Sequence, residues 1–288
     1  MIIISLMTLL TACGTQFKSF MFEAKASSNG SSNTVVPPPV MPTGEPVLTD
    51  TPAAYNTGVP AAIVLKASGA VTVTTPGTVI DSLNISGVVR IKAANVTLRR
   101  SKITAASYGV VIVDADLPGI RIEDCEINGV GTGNDGAMGI EGPGTFVRNN
   151  IHHVQSGIVP NSGALIQDNF IHDLQATGAP IYNGVQIEGG VDNVLIYHNA
   201  IVNQQTQWAA IDINNFYGHV SNVSVRGNLL SGGDNTVVCD GQYSASALTG
   251  ISFTGNSMRK GSTGYKAFNA CQPEFSGNVD DTTGSAVP

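Results

Sequence analysis

The sequence predicts an all-β solenoid, a parallel β-helix carrying an asparagine ladder. Three observations predict it: little charge with much glycine, a short repeat that stays in register, and a second set of alternating strands behind it. Of 288 residues, 42% are hydrophobic and 12% charged, where ordinary domains carry about 25% charged residues. Disorder requires low hydrophobicity and high charge, and a long coiled coil requires charged helix formers. Both are excluded for the body of the chain. Fourteen Lys plus Arg stand against twenty-one Asp plus Glu, a net charge of −7. No basic stripe is available for a nucleic-acid partner, and none is expected.

The N-terminal run MIIISLMTLLTA, Met1 to Ala12, is apolar, uncharged and followed by Cys13. A bilayer span takes about 20 residues, so this run fits the hydrophobic region of a signal peptide instead. Leu10-Thr11-Ala12-Cys13 resembles a bacterial lipobox, which implies lipidation at Cys13 over a 1–13 signal segment. A Ser/Asn tract running into prolines, SSNGSSNTVVPPPVMPTGEP from Ser27, makes residues 14–56 a spacer. The expected product is exported and lipid-anchored to a bacterial membrane or cell surface, with its folded domain over 57–283. A monomer is expected.

Repeats come before single elements. Eight segments align without gaps: VTLRRSKI from Val96, IRIEDCEI from Ile120, TFVRNNIH from Thr145, ALIQDNFI from Ala164, VLIYHNAI from Val194, VSVRGNLL from Val223, ISFTGNSM from Ile251 and PEFSGNVD from Pro273. Each reads as one short strand of period two. The sixth place holds Ser101, Cys125, Asn150, Asn169, Asn199, Asn228, Asn256 and Asn278, at spacings of 19 to 30 residues. Asparagine tolerates the left-handed conformation and bonds backbone at turns. Stacked copies can also satisfy one another.

A second strand set follows: GVVIV from Gly109, GIEG from Gly139, GIVPN from Gly157, GVQIEG from Gly184, AIDIN from Ala210, VVCDG from Val237 and KAFNA from Lys266. Alternation points Val185, Ile187, Ile211 and Ile213 inward. Two or three short strands per coil with Gly or Asn at the corners make a parallel β-helix. Leucine-rich repeats lack a match because no regular leucine spacing is present. Cys239 and Cys271 fall on neighbouring coils and are the expected disulfide in an oxidising compartment. Cys125 reads as a packed free thiol. No CxxC spacing or His/Cys cluster suggests a metal site.

On these features the chain resembles the single-stranded right-handed parallel β-helix proteins of pectate- and alginate-lyase type, over roughly Thr57 to Thr283. GTVIDSLNISGVVRIKAANVTLRRSKI from Gly77 resembles the opening of a bacterial family of exported β-helices. That family implies a His-x-Asp-Gly-(Ile/Val)-Gln run. Gly184 and Gln186 match it, while Ile181 and Asn183 stand where His and Asp are expected. The resemblance implies a polysaccharide as partner and β-elimination on a uronate polymer as the activity.

Two outward faces compete for the site. The first carries Arg99, Glu123, Arg148, Gln167, Tyr197 and Arg226, with His198 beside Tyr197; its arginines suit carboxylates. The second follows Gly184. An offset of 26 residues pairs Gln186 with Asp212, Glu188 with Asn214 and Tyr182 with Trp208, and Tyr217 and His219 come just past the second strand. Rings cover apolar sugar faces while amides and acids read hydroxyls, so this face is preferred. Elimination needs a base, an acid and neutralisation of the carboxylate. Tyr182 and His219 are the proton-transfer candidates; Gln186, Glu188, Trp208, Asp212, Asn214 and Tyr217 are the substrate-binding set. Glu188 and Asp212 repel a uronate unless calcium bridges them. The same two acids suit a glycoside hydrolase, and a non-catalytic glycan binder is the remaining alternative. His153 and His172 read as a stacked corner pair, with Asp173 orienting His172.

Overall fold

The computed structural model describes residues 47–131 and 136–288; Cys13 and most of the predicted spacer lie outside them. Every described element is a strand, and every ladder between strands is parallel. This is a parallel β-helix, consistent with the right-handed form. Nine strands form one sheet and seventeen another. The larger sheet bends into two faces because Leu83–Ile91 pairs by its first half with Lys102–Thr104 and by its second half with Gly109–Val113. Each coil therefore has three faces. In one coil these are Val191–Tyr197, Ala200–Asn203 and Ala209–Asn214.

The eight repeated segments are not single strands. Each breaks into two short strands around a corner, as in Thr97–Arg99 and Lys102–Thr104. The corner residue is left-handed: Arg100, Asp124, Arg148, Asp168 and His198 have φ of 46° to 56°, and Gly227, Gly255 and Gly277 follow suit. Such a φ is uncommon outside glycine, and here it precedes the ladder residue instead of falling on it.

One register of the repeat needs correction. Thr145 pairs with Arg121 and Phe146 with Ile122, so the ladder residue of that coil is Asn149, not Asn150. Asn149, Asn169, Asn199, Asn228 and Asn256 each donate Nδ2 to the Oδ1 of the next coil's asparagine, ending at Asn278, at 2.9 to 3.0 Å. The same Nδ2 atoms donate to backbone carbonyls such as Ile122 O and Phe146 O. Each Oδ1 also accepts the main-chain N–H of the preceding ladder residue, as Asn169 Oδ1 does from Asn149. The amides are buried at no net polar cost because both ends are bonded.

Inside, Leu98, Ile122, Phe146, Ile166, Ile196, Val225 and Phe253 stack in register without solvent exposure. Ile103, Ile127, Ile151, Ile171 and Ile201 do the same on the second face. Each such side chain contributes roughly 1.5–3 kcal/mol on burial. Cys239 and Cys271 are disulfide-bonded across 32 residues, with Cα atoms 5.8 Å apart. Cys125 is buried and free, and desolvation pushes its thiol far above the usual range. The corrected register also stacks His152, not His153, beside His172, with ring centroids 5.3 Å apart. His172 Nδ1 lies 2.8 Å from Asp173.

The end of the stretch predicted as spacer lies on the solenoid. Leu48 N–H donates to Asp168 Oδ2 at 3.3 Å, and just past that stretch Gly58 N–H donates to the Arg148 carbonyl at 2.8 Å.

Candidate functional site

The first face is a web of internal ion pairs. Arg99 and Arg100 both bond Asp81. Val147, not Arg148, is the register partner of Glu123. Arg148 sits at the corner and clamps Asp124 through Nε at 2.7 Å and Nη2 at 2.9 Å. Arg226 lies over the Tyr197 ring at 5.0 Å. His198 Nδ1 is held 2.6 Å from the buried Asp168 carboxylate. The guanidinium groups that a substrate carboxylate would need already have partners.

The third face is built differently. Asn183–Ile187 pairs with Ala209–Asn214, setting Gln186 beside Asp212. Glu141 belongs to the same outward column, through Val159. Asp212 is almost fully buried; Asn214 Nδ2 donates to its Oδ2 at 3.0 Å. Desolvation pushes Asp212 up to about 7, and the charges of Glu188 and Asp240 push the same way. The Trp208 indole N–H and Asn214 pull against this. Burial also raises Glu188, opposed by Gln186, and Glu141, opposed by Arg90. Several acids are thus crowded where water is scarce.

Aromatic rings border these acids. Phe216, Tyr217, Tyr108 and Tyr243 are each about half exposed or more, Tyr217 most at 71%. Phe216 packs edge-on to Tyr217 at 4.7 Å and to Tyr243 at 5.9 Å. The phenols of Tyr108, Tyr217 and Tyr243 are raised by burial first and by the charge of nearby acids, Glu188 among them in each case. Two local devices hold the rings in place. Gly189, at φ 107°, lies so close to Gly218 that a Cβ would fall 2.6 Å from its nitrogen, so the loop with Phe216 and Tyr217 can rest on the coil. Buried Asn215 donates Nδ2 to the carbonyls of Gly241, Ser244 and Ser246 and accepts from Tyr243 N–H, which fixes the neighbouring loop.

The predicted set is only partly brought together. Gln186, Glu188, Asp212, Asn214 and Tyr217 share this face, and Trp208 reaches Asp212. Tyr182 does not offer a free phenol, because its ring is buried and its hydroxyl exchanges hydrogen bonds with the Ala176 backbone at 3.3 and 3.4 Å. His219 turns to the first sheet, where Nε2 lies 3.1 Å from Asp192. The two proton-transfer candidates therefore flank opposite ends of the strand pair and do not form a couple. Tyr108, Glu141, Asn215, Phe216, Asp240 and Tyr243 were not foreseen. Glu141 was within reach of the register argument, since GIEG was already aligned; the aromatic residues sit on loops of unequal length. Among the described residues, no group of three His, Cys, Asp or Glu converges as a metal site.

Compared with protein-family models, curated proteins and solved structures, the chain finds no match in any of the three. The face must be interpreted from its own chemistry.

Proposed function

We propose that the third face binds a polysaccharide of neutral sugars and hydrolyses a glycosidic bond between Asp212 and Glu188. The carrying observation is the unequal pair: Asp212 is almost sealed from solvent, is raised to about 7 and holds its proton near neutrality, while Glu188 is more exposed and its desolvation is opposed by Gln186. Glu188 is one strand across and two residues along from Asp212, so their Cα atoms are about 8 Å apart. Such carboxylate pairs serve glycoside hydrolysis. Asp212 gives its proton to the leaving glycosidic oxygen as the carbon–oxygen bond breaks. Glu188 stabilises the developing positive charge and assists water, which supplies the hydroxyl of the new end and returns the proton.

Elimination on a uronate polymer, implied by the family resemblance, is the second reading. It has the tyrosines of this face in its favour as bases, but the acids would repel a uronate unless a cation such as calcium screened them. The disulfide supports an exported protein, since such bonds persist in oxidising compartments. We place the anchor at Cys13; a Cys13→Ser protein that still partitions with membranes would count against it.

Reducing-end release from xylan, mannan, galactan and β-glucan, run beside absorbance of unsaturated ends from alginate and pectate, tests the reading. Hydrolysis is expected to vanish in Asp212→Asn and Glu188→Gln. Unsaturated ends without hydrolysis would establish the lyase, and binding without either product would leave a glycan-binding protein.

A further inference from the structure

Beside the acid pair, three buried polar groups lack hydrogen-bond partners. Asn183 is fully buried, yet neither Oδ1 nor Nδ2 has a partner of acceptable geometry, and the buried Trp208 indole N–H faces the Asp212 carboxylate without closing a hydrogen bond of good geometry. A buried amide without partners costs the desolvation of both its ends, and folded proteins seldom retain one without a use for it.

The register places these groups together. Ser156 pairs with Asn183, and the Ser156 hydroxyl donates to Gln186 Oε1 on the next coil at 2.6 Å. Gln186 in turn pairs with Asp212. The same step taken one coil further leads from Asn183 to Asp212, and there no hydrogen bond closes. Trp208 reaches the Asp212 carboxylate from the corner residue just before Ala209, the register partner of Asn183.

Trp208 also borders an open cavity of about 650 Å³, together with Ile181, Tyr182, Gln205, Gln207 and Asp234. Its side chain therefore borders that cavity and also faces the Asp212 carboxylate. Its backbone is held: φ is 57°, and Asp234 N–H donates to its carbonyl at 2.6 Å. A rotation of the indole about its side-chain bonds would leave this backbone hydrogen bond in place.

We propose that Asn183, Asp212 and the Trp208 N–H frame a subsite for the hydroxyls of one sugar ring, and that the Trp208 side chain is its gate. The proposal rests on the glycan reading above and adds its specificity determinant. An amide offers one donor and one acceptor to vicinal hydroxyls, while the indole face covers the apolar side of the ring. A site built to bond a hydroxyl rejects the sugar lacking it, because its own polar groups are then left unpaired.

Trp208 is the single tryptophan of the chain, so its fluorescence reports the gate directly. Titration of the full protein with xylo-, manno-, galacto- and gluco-oligosaccharides is expected to shift Trp208 emission for the sugar that is bound. Asn183→Leu is expected to raise Tm, because an unpaired amide is removed, while weakening that oligosaccharide at least tenfold. Trp208→Phe keeps a ring and loses the N–H, and is expected to weaken binding less. Unchanged affinity in Asn183→Leu, or unmoved Trp208 emission at saturation, overturns the subsite while leaving a glycan site elsewhere on the face. If Asn183→Leu does not fold, the emission titration decides alone. Absence of any oligosaccharide binding by the unmodified protein overturns the glycan reading, and the subsite with it.

Discussion

Gln186 and Asp212 are register partners on adjacent coils, yet they live in different surroundings. Gln186 is half-buried and takes the Ser156 hydroxyl, whereas Asp212 is sealed from solvent with Asn214 as its amide donor. The difference sets the titration of the site. Asp212 is raised from 3.8 to about 7. A carboxyl raised on folding stabilises the fold fully below its unfolded pKa, and that stability is lost as pH rises through the folded one. The loss runs from near pH 4 to near pH 7 and amounts to about 4 kcal/mol. Asp212→Asn is expected to melt above the unmodified protein at pH 8 and to lose that advantage at pH 4. Thermal denaturation at both values checks it; parallel shifts would show that Asp212 is ionised throughout. Hydrolysis should fall above pH 7 as the proton donor is lost.

The ladder makes a second prediction. Asn199 links coils on both sides: its Oδ1 accepts from Asn169 and its Nδ2 donates to Asn228, Ile166 and Tyr197. Asn199→Ala orphans several of these groups and is expected to cost about 3 kcal/mol. Asn278, at the end of the series, donates to the Phe253 carbonyl and has no following asparagine to serve. Its alanine variant should lose less. Urea midpoints of the two variants, compared with the parent, test this ordering, and equal losses would deny the ladder its cumulative role.

How far the sequence reached depends on what kind of signal each residue carries. The solenoid was legible because isoleucine and asparagine recur at matched positions in coils whose loops differ. The slip at Asn149 and Asn150 arose because two asparagines adjoin and both Phe146 and Val147 are apolar, so only backbone pairing separates the alternatives. Splitting of each repeat at a left-handed Arg100 or Arg148 left no trace in composition, because the bonds that compensate the strain come from other coils. Gln186 and Asp212 were found by counting residues along regular strands. Tyr108, Phe216 and Tyr243 lie on irregular loops, where no period fixes direction. Tyr182 and His219 were misassigned for the same reason: the partners that claim them, Ala176 and Asp192, cannot be inferred from spacing.

The disulfide near the C-terminal coils allows a third test. Cys239–Cys271 closes 32 residues, and loop-closure entropy predicts a contribution of about 3.5 kcal/mol. Reduction, or the paired Cys239→Ser and Cys271→Ser change, is expected to lower Tm and to raise hydrogen exchange first around Cys239 and Phe268, which are register partners. Uniform loosening along the whole solenoid would instead mean that the coils unfold as one unit, contrary to the nearest-neighbour behaviour of repeat folds.

The two faces can be separated by their aromatic residues. On the third face, Tyr217 is 71% exposed and packs against Phe216, so a sugar ring can lie on it without displacing a protein contact. On the first face, Tyr197 is already covered by Arg226. Stacking on an aromatic ring contributes apolar area and orients the polar face of the sugar, and loss of one ring from a shallow groove is expected to cost about 1–2 kcal/mol, near tenfold in affinity. Tyr217→Ala should therefore weaken polysaccharide retention in affinity electrophoresis by about tenfold, while Tyr217→Phe retains most of it because the ring does the stacking. Tyr197→Ala should leave retention unchanged. The reverse pattern would move the glycan to the arginine-bearing face and would return a uronate as a candidate ligand.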